Sequence, residues 1–202
     1  MRRAIQLAAR GPGRTSPNPC VGAVIVRGDR ILGEGWHKRA GEAHAEVVAF
    51  ADAKKRRSRV KGATLYVTLE PCSTTGRTPP CTEAIIAAGI RRVVIGTLDP
   101  NPDHAGRALG ILKRRGIKVD TSVLADRCAD LNESFNHWIV HRRPFVVLKA
   151  AMTLDGKIAT KSGESKWITG PDSARQAMRL RRDADAILVG SNTIIADDPS
   201  LT

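Results

Sequence analysis

The chain has 202 residues, with 33 lysines and arginines against 20 aspartates and glutamates, a formal net charge of +13. Hydrophobic residues make up 42% and aromatics only 3%, an ordinary globular balance for one full core and part of another. No apolar run is long enough to span a bilayer, no signal-peptide pattern opens the chain, and so few aromatics argue against a stacking platform for single-stranded nucleic acid.

In chain order, the first pattern is an amphipathic helix carrying Ala4, Ile5, Leu7 and Ala8. Residues 21–27 and 30–35 read as two strands joined by Gly28-Asp29, a hairpin signal. A helix is predicted from Ala43 to about Ala53, with His44 and Glu46 near its first turn. The strand predicted over 63–69 runs directly into Glu70-Pro71-Cys72. Pro79-Pro80 stiffens the chain and permits a helix to start at Cys81; that helix ends at Gly89. A strand over 91–96, a helix over 106–115, a short strand over 116–119 and a helix over 125–139 follow. Strands alternating with helices predict an α/β fold of three layers, a sheet between helices. Arg142-Arg143-Pro144 marks a domain boundary, dividing 1–143 from 144–202. Past it, the sequence predicts a strand over 145–151, a helix over 172–182 and a strand over 186–190.

The chemistry-bearing residues are His44, Glu46, Cys72 and Cys81. One imidazole and two thiolates suit Zn²⁺. Three protein ligands leave the fourth tetrahedral position to water, the arrangement of a catalytic site, and zinc lowers the pKa of that water to about 7. Glu46, two residues past the histidine, is placed to shuttle protons rather than to ligate. The His-x-Glu…Pro-Cys constellation resembles that of the zinc deaminases of nucleobases. In their pattern two residues separate the cysteines, whereas eight intervene between Cys72 and Cys81. A longer loop still returns to one metal, because closure cost rises slowly with length. Cys20 and Cys128 lack such company and are expected to be buried, inert thiols. Thiols assigned to metal, with no export signal, point to the cytoplasm.

Further stretches carry a wider resemblance: Asn18-Pro19, Gly35-Trp36-His37, His44-Ala45-Glu46, Leu69-Glu70-Pro71-Cys72-Ser73, Gly76-Arg77-Thr78-Pro79-Pro80-Cys81 and Asp99-Pro100-Asn101-Pro102. Leu154-Asp155-Gly156, Ser162-Gly163-Glu164-Ser165, Trp167-Ile168-Thr169 and Ala196-Asp197-Asp198-Pro199 extend it along the whole chain. Together they resemble the bifunctional riboflavin-biosynthesis deaminase/reductase family. The resemblance implies a cytidine-deaminase-like α/β domain followed by the beginning of a dihydrofolate-reductase-like domain. It implies hydrolytic deamination of 2,5-diamino-6-(5-phosphoribosylamino)pyrimidin-4(3H)-one, with Glu46 as proton carrier and His44, Cys72 and Cys81 as zinc ligands. Asn18, His37, Arg77, Asp99 and Asn101 match the family's substrate pocket. Arg77 suits a phosphate, and Asn18 suits a pyrimidine edge. Thr74 departs from the family, which usually has histidine there; it keeps a hydroxyl and loses an imidazole.

In the second part, the resemblance implies NADPH contacts at Ala151, Trp167, Thr193 and Asp197, and reductase substrate contacts at Ser165, Arg181 and Leu201. The stretch from Pro144 to Thr202 is too short for a nucleotide-binding sheet with its own core, so no NADPH-dependent reduction is expected of this chain alone. The family also leaves room for a homo-oligomer. Two other readings stay open at this stage. The positive charge suits a nucleic-acid (tRNA) base deaminase, which would bind RNA or DNA in a salt-sensitive way. A purely structural zinc would make the chain a binding module, against which the missing fourth protein ligand argues.

Overall fold

The computed structural model describes residues 1–75, 79–102 and 104–201. The chain divides into two compact units, Met1–Phe145 and Val146–Thr202.

The first unit is built on a five-stranded sheet. Its strands are β1 (Gly22–Arg27), β2 (Arg30–Trp36), β3 (Thr64–Leu69), β4 (Arg92–Thr97) and β5 (Lys118–Asp120), in the order β2-β1-β3-β4-β5. β1 runs antiparallel to both β2 and β3, and β3, β4 and β5 are parallel. The hairpin turns on Gly28, whose φ of +56° costs glycine little. The parallel strands are joined by crossover helices, α3 (Cys81–Ala87) between β3 and β4 and α4 (Arg107–Arg114) between β4 and β5.

Strand alternation sorts the side chains into two faces. Ala23 and Ile25 of β1, Leu65 and Val67 of β3, and Val93 and Ile95 of β4 share one core with Ile85 of α3 and Leu112 of α4. Ala45, Ala49 and Ala53 of α2 (Ala45–Lys55) join that core. On the other face, Val24 packs with Ala4 and Leu7 of α1 (Arg2–Ala8), and Gly96 of β4 lies against Cys128 of α5 (Ala125–Asp130). This is the three-layer α/β arrangement, a sheet between helices, that the sequence predicts.

One close approach governs the placement of α2. Its three small alanines let the helix backbone settle onto β2, where glycines lie opposite. A Cβ at Gly35 would run into the Ala45 carbonyl oxygen, and one at Gly33 into that of Ala49. The helix start that carries His44 and Glu46 is thereby held at the sheet.

Three predicted elements differ from the structure. The helix predicted over 125–139 is two helices, α5 and α6 (Glu133–His141). Asn132 breaks it: its Oδ1 accepts from the Cys20 N–H (2.7 Å) and its Nδ2 donates to the Cys20 carbonyl (3.0 Å). A tertiary partner so distant in sequence is invisible to periodicity. Residues 145–151 and 186–190 form no strands. Apolar, β-branched runs become strands only with a ladder partner, and none pairs with them among the described residues. Val146, Leu148 and Leu188 remain 81%, 92% and 96% exposed. The regular elements described in the second unit are α7 (Pro171–Asp183) and α8 (Ser191–Asp197). No helix among the described residues is long and apolar enough to cross a membrane.

Glu34 of β2 ties α1 to the sheet, accepting from Arg3 Nε (2.6 Å) and Nη2 (3.2 Å). The Arg3 guanidinium holds the Glu34 carboxyl below its ordinary 4.5, against a smaller opposing effect of burial. A lowered folded pKa means that the stabilisation is present above 4.5 and lost as pH falls through the folded value. Glu34→Gln is therefore expected to lower the melting temperature modestly at pH 7, as fits a part-exposed pair. Thermal melts of both proteins should converge on acidification below pH 4.5.

Candidate active site

The site forms where α2 and α3 begin and β3 ends. His44 occupies the position before α2, in extended conformation (φ −67°, ψ 159°). Cys72 lies three residues past the end of β3, after the buried Pro71. Cys81 is the first residue of α3, and its backbone N–H donates to Cys72 Sγ at 3.2 Å. A helix N-terminus favours a thiolate in this position. The Thr82 N–H donates to the Cys72 carbonyl (3.2 Å), closing the loop from β3 onto α3. His44 Nδ1 lies 3.2 Å from Cys81 Sγ and 3.4 Å from Cys72 Sγ.

These three ligand atoms lie within 4.8 Å of one another and form the one such cluster of three or more among the described residues. Their electrostatics fit a soft divalent cation. Cys72 is pulled down to about 4, first by the hydrogen bond from the Cys81 thiol and then by His44, against the cost of burial. Cys81 is pushed upward because it supplies that proton and is itself buried. Two sulfurs sharing one proton cannot both ionise unless a positive charge takes its place. His44, Cys72 and Cys81 would hold zinc.

Glu46 stands in the first turn of α2 and is only 3% exposed. Burial raises its carboxyl to about 6, partly offset by its own backbone N–H; Cys72 adds to the rise, while His44 opposes it. Its carboxyl lies close enough to the cluster to feel both Cys72 and His44.

Of the expected substrate residues, two are joined. Asn18 Nδ2 lies 3.1 Å from His37 Nε2, and His37 Nδ1 lies 3.2 Å from the Ala43 carbonyl oxygen. The carbonyl can only accept, so Nδ1 donates and Nε2 of the neutral ring accepts from Asn18. Burial lowers the His37 pKa, in keeping with a neutral ring. The His37 and His44 rings meet edge to face at 5.7 Å, so this pair borders the cluster. Asp99 accepts from the Asn101 N–H (2.9 Å). Its carboxyl is raised by burial, with His104 drawing it down and Glu70 and Cys72 adding to the rise. Arg77 lies outside the described residues. Thr74 is exposed.

Residues 1–97 match the family model for the cytidine and deoxycytidylate deaminase zinc-binding region, and residues 144–202 match that of the RibD C-terminal domain. The riboflavin biosynthesis proteins RibD of Aquifex aeolicus and Escherichia coli are 53% and 50% identical to the chain over all of its 202 residues. Over its whole length the chain is similar to RibD proteins. It spans about half the length of the curated RibD relatives it matches, 56% and 54% for these two. A Thermotoga maritima structure described as a diaminohydroxyphosphoribosylaminopyrimidine deaminase/5-amino-6-(5-phosphoribosylamino)uracil reductase superposes with a TM-score of 0.94 at 48% identity. The match covers 98% of this chain and 56% of that one. Acinetobacter baumannii RibD gives 0.89 at 46% identity, over 99% and 55%. His44, Cys72 and Cys81 all lie within the matched zinc-binding region.

Of the residues expected at a reductase site, Ser165, Trp167, Thr193 and Asp197 are exposed, while Ala151, Arg181 and Leu201 are half-buried. Arg181 Nη1 donates to the Ser200 carbonyl (3.1 Å). Sequence reasoning missed two buried polar residues that bond to segments carrying expected site residues. Asn132 grips the backbone of Cys20, two residues past Asn18. Glu70 was legible only as one letter of Leu69-Glu70-Pro71-Cys72. Neither carries a local signal of its role.

The cluster predicts that the purified chain binds about one zinc per chain, and that Cys81→Ser lowers metal content well below that while leaving the helix content of the first unit in place. Metal analysis after gel filtration, with circular dichroism alongside, is the check.

Proposed function

We propose that residues 1–143 form a zinc-dependent aminohydrolase acting on 2,5-diamino-6-(5-phosphoribosylamino)pyrimidin-4(3H)-one. Water replaces the 2-amino group, giving 5-amino-6-(5-phosphoribosylamino)uracil and ammonia. The observation that carries this reading is the His44–Cys72–Cys81 cluster with the buried Glu46 carboxyl beside it. Bound zinc supplies water ionised near neutral pH.

The remaining work falls to the chain's own groups. Glu46 takes one proton from the attacking water and delivers it to the ring nitrogen, then carries the proton of the newly added hydroxyl to the amine, which departs as ammonia as the carbonyl forms. Its burial keeps bulk water from competing for those protons. His37, held by the Ala43 carbonyl, accepts one hydrogen from Asn18 and so sets the orientation of that amide. The Asn18 carbonyl oxygen and its second hydrogen are then suited to the pyrimidine edge. Asp99 and Asn101 add polar contacts to the ribotide. Arg77 binds its phosphate, and the net charge of +13 favours an anionic substrate generally. A free ribotide needs neither nucleic acid nor membrane as partner, and the reaction belongs in the cytoplasm. Residues 144–202 correspond to the beginning of a reductase domain, in which Ala151, Trp167, Thr193 and Asp197 belong to an NADPH site and Ser165, Arg181 and Leu201 to its substrate site.

The deciding experiment measures ammonia release from the diaminopyrimidine ribotide by the zinc-loaded chain. Glu46→Gln should keep zinc and lose at least about a hundredfold in kcat, the scale of a lost general acid–base. A zinc-loaded parent that releases no ammonia would falsify the assignment. Given the aminouracil ribotide and NADPH, the same preparation is expected to show no NADPH oxidation, because the reductase-pattern residues stand on a unit without a described sheet; measurable oxidation would refute that.

A further inference from the structure

The buried residues include one carboxylate that the proposed chemistry does not use. Glu70 follows the last residue of β3 and is 5% exposed. Its backbone N–H donates to the Thr97 carbonyl (2.9 Å), continuing the ladder in which Leu69 pairs with Thr97 of β4. Its side chain turns to the segment after β4. Oε2 accepts from the Gly106 N–H at 2.9 Å and the Asp99 N–H at 3.3 Å, and Oε1 accepts from the Ala108 N–H at 3.0 Å.

Two physical needs meet in these bonds. A helix begins with four N–H groups that lack intrahelical partners. The residue that precedes α4 is Gly106, at φ +76°, which has no side chain to cap them. A buried carboxylate, for its part, is strongly disfavoured unless donors surround it. Three backbone N–H groups and the positive end of α4 provide that surrounding. Glu70 therefore caps α4 from another part of the fold, and the same carboxylate reaches Asp99.

We propose that Glu70 is a positioning residue that sets Asp99 and Asn101 in place relative to the metal ligand Cys72. The link runs in one direction through bonded groups. Pro71 makes the step from Glu70 to Cys72 stiff, because its ring fixes φ. Glu70 holds the Asp99 backbone, and the Asp99 side chain in turn accepts from Asn101 at 2.9 Å. One side chain thus joins the end of β3 that leads to the metal with the segment assigned to the ribotide. The inference rests on the deaminase reading for what Asp99 and Asn101 touch.

Glu70→Gln tests it in the full zinc-loaded chain. Glutamine keeps the size but has a single acceptor oxygen, and its NH₂ must face an N–H. The expected result is a KM for the diaminopyrimidine ribotide raised about ten- to a hundredfold, with a much smaller fall in kcat, in line with the cost of small misplacements. Zinc should stay at its parental stoichiometry, and amide exchange should quicken at Asp99, Gly106 and Ala108 but not along α2. Quickened exchange with an unchanged KM would reduce Glu70 to a helix cap and overturn the proposal. So would loss of zinc, which would place its role at the metal loop. If the variant does not fold, exchange in the unaltered chain decides: those three amides should be slow as a group, and exchange at exposed-loop rates sinks the idea. A zinc-loaded parent inactive on the ribotide removes the substrate role through the deaminase reading itself, while the exchange rates still report separately on the clamp.

Discussion

Two sulfurs and an imidazole nitrogen packed within 4.8 Å cannot all take their metal-binding, deprotonated forms without a compensating positive charge. That constraint organises the first unit. Each ligand is held by a different kind of backbone: a residue just ahead of a helix, a loop leaving a strand, and the first residue of another helix. The helix start at Cys81 supplies a positive dipole end that favours an ionised Cys72 sulfur, while Cys81 keeps its proton until a cation replaces it. The fold must hold these pieces to within a fraction of an ångström, and it does so by close approach rather than by large side chains.

The closeness is visible at α2. Alanines on the helix and glycines on β2 bring backbone against backbone, and a single added methyl would meet a carbonyl oxygen. Interiors packed this densely transmit small displacements instead of absorbing them. His44 and Glu46, at the start of that helix, inherit its position.

A second set of restraints is polar and buried. Asn132 pairs with both backbone groups of Cys20 as a neighbouring strand would, and Glu70 gathers three amides. Each bonds to a segment that carries residues expected to meet the substrate. Buried polar groups satisfied this fully define one arrangement of otherwise irregular chain. The second unit differs physically. Its extended apolar runs have no strand neighbour among the described residues, and residues such as Leu148 and Leu188 stay exposed.

Much of this protein was legible in its residues alone. The alternation of apolar positions located the five strands of the first unit and most of its helices, because side-chain periodicity follows from local backbone geometry. Ligand chemistry picked out His44, Cys72 and Cys81, because soft donors beside helix starts have few other uses. What local pattern could not decide was whatever depends on a distant partner. The break at Asn132 depends on Cys20. The strands expected at 145–151 and 186–190 depended on neighbours with which to share hydrogen bonds. The work of Glu70 depends on amides beyond β4, and the pairing of Asn18 with His37 on two loops brought together by the sheet. Sequence determines which groups are present and which way a short segment turns; only the folded chain determines which of them meet, because hydrogen bonds and electrostatic effects act over a few ångströms of space and take no account of separation along the chain.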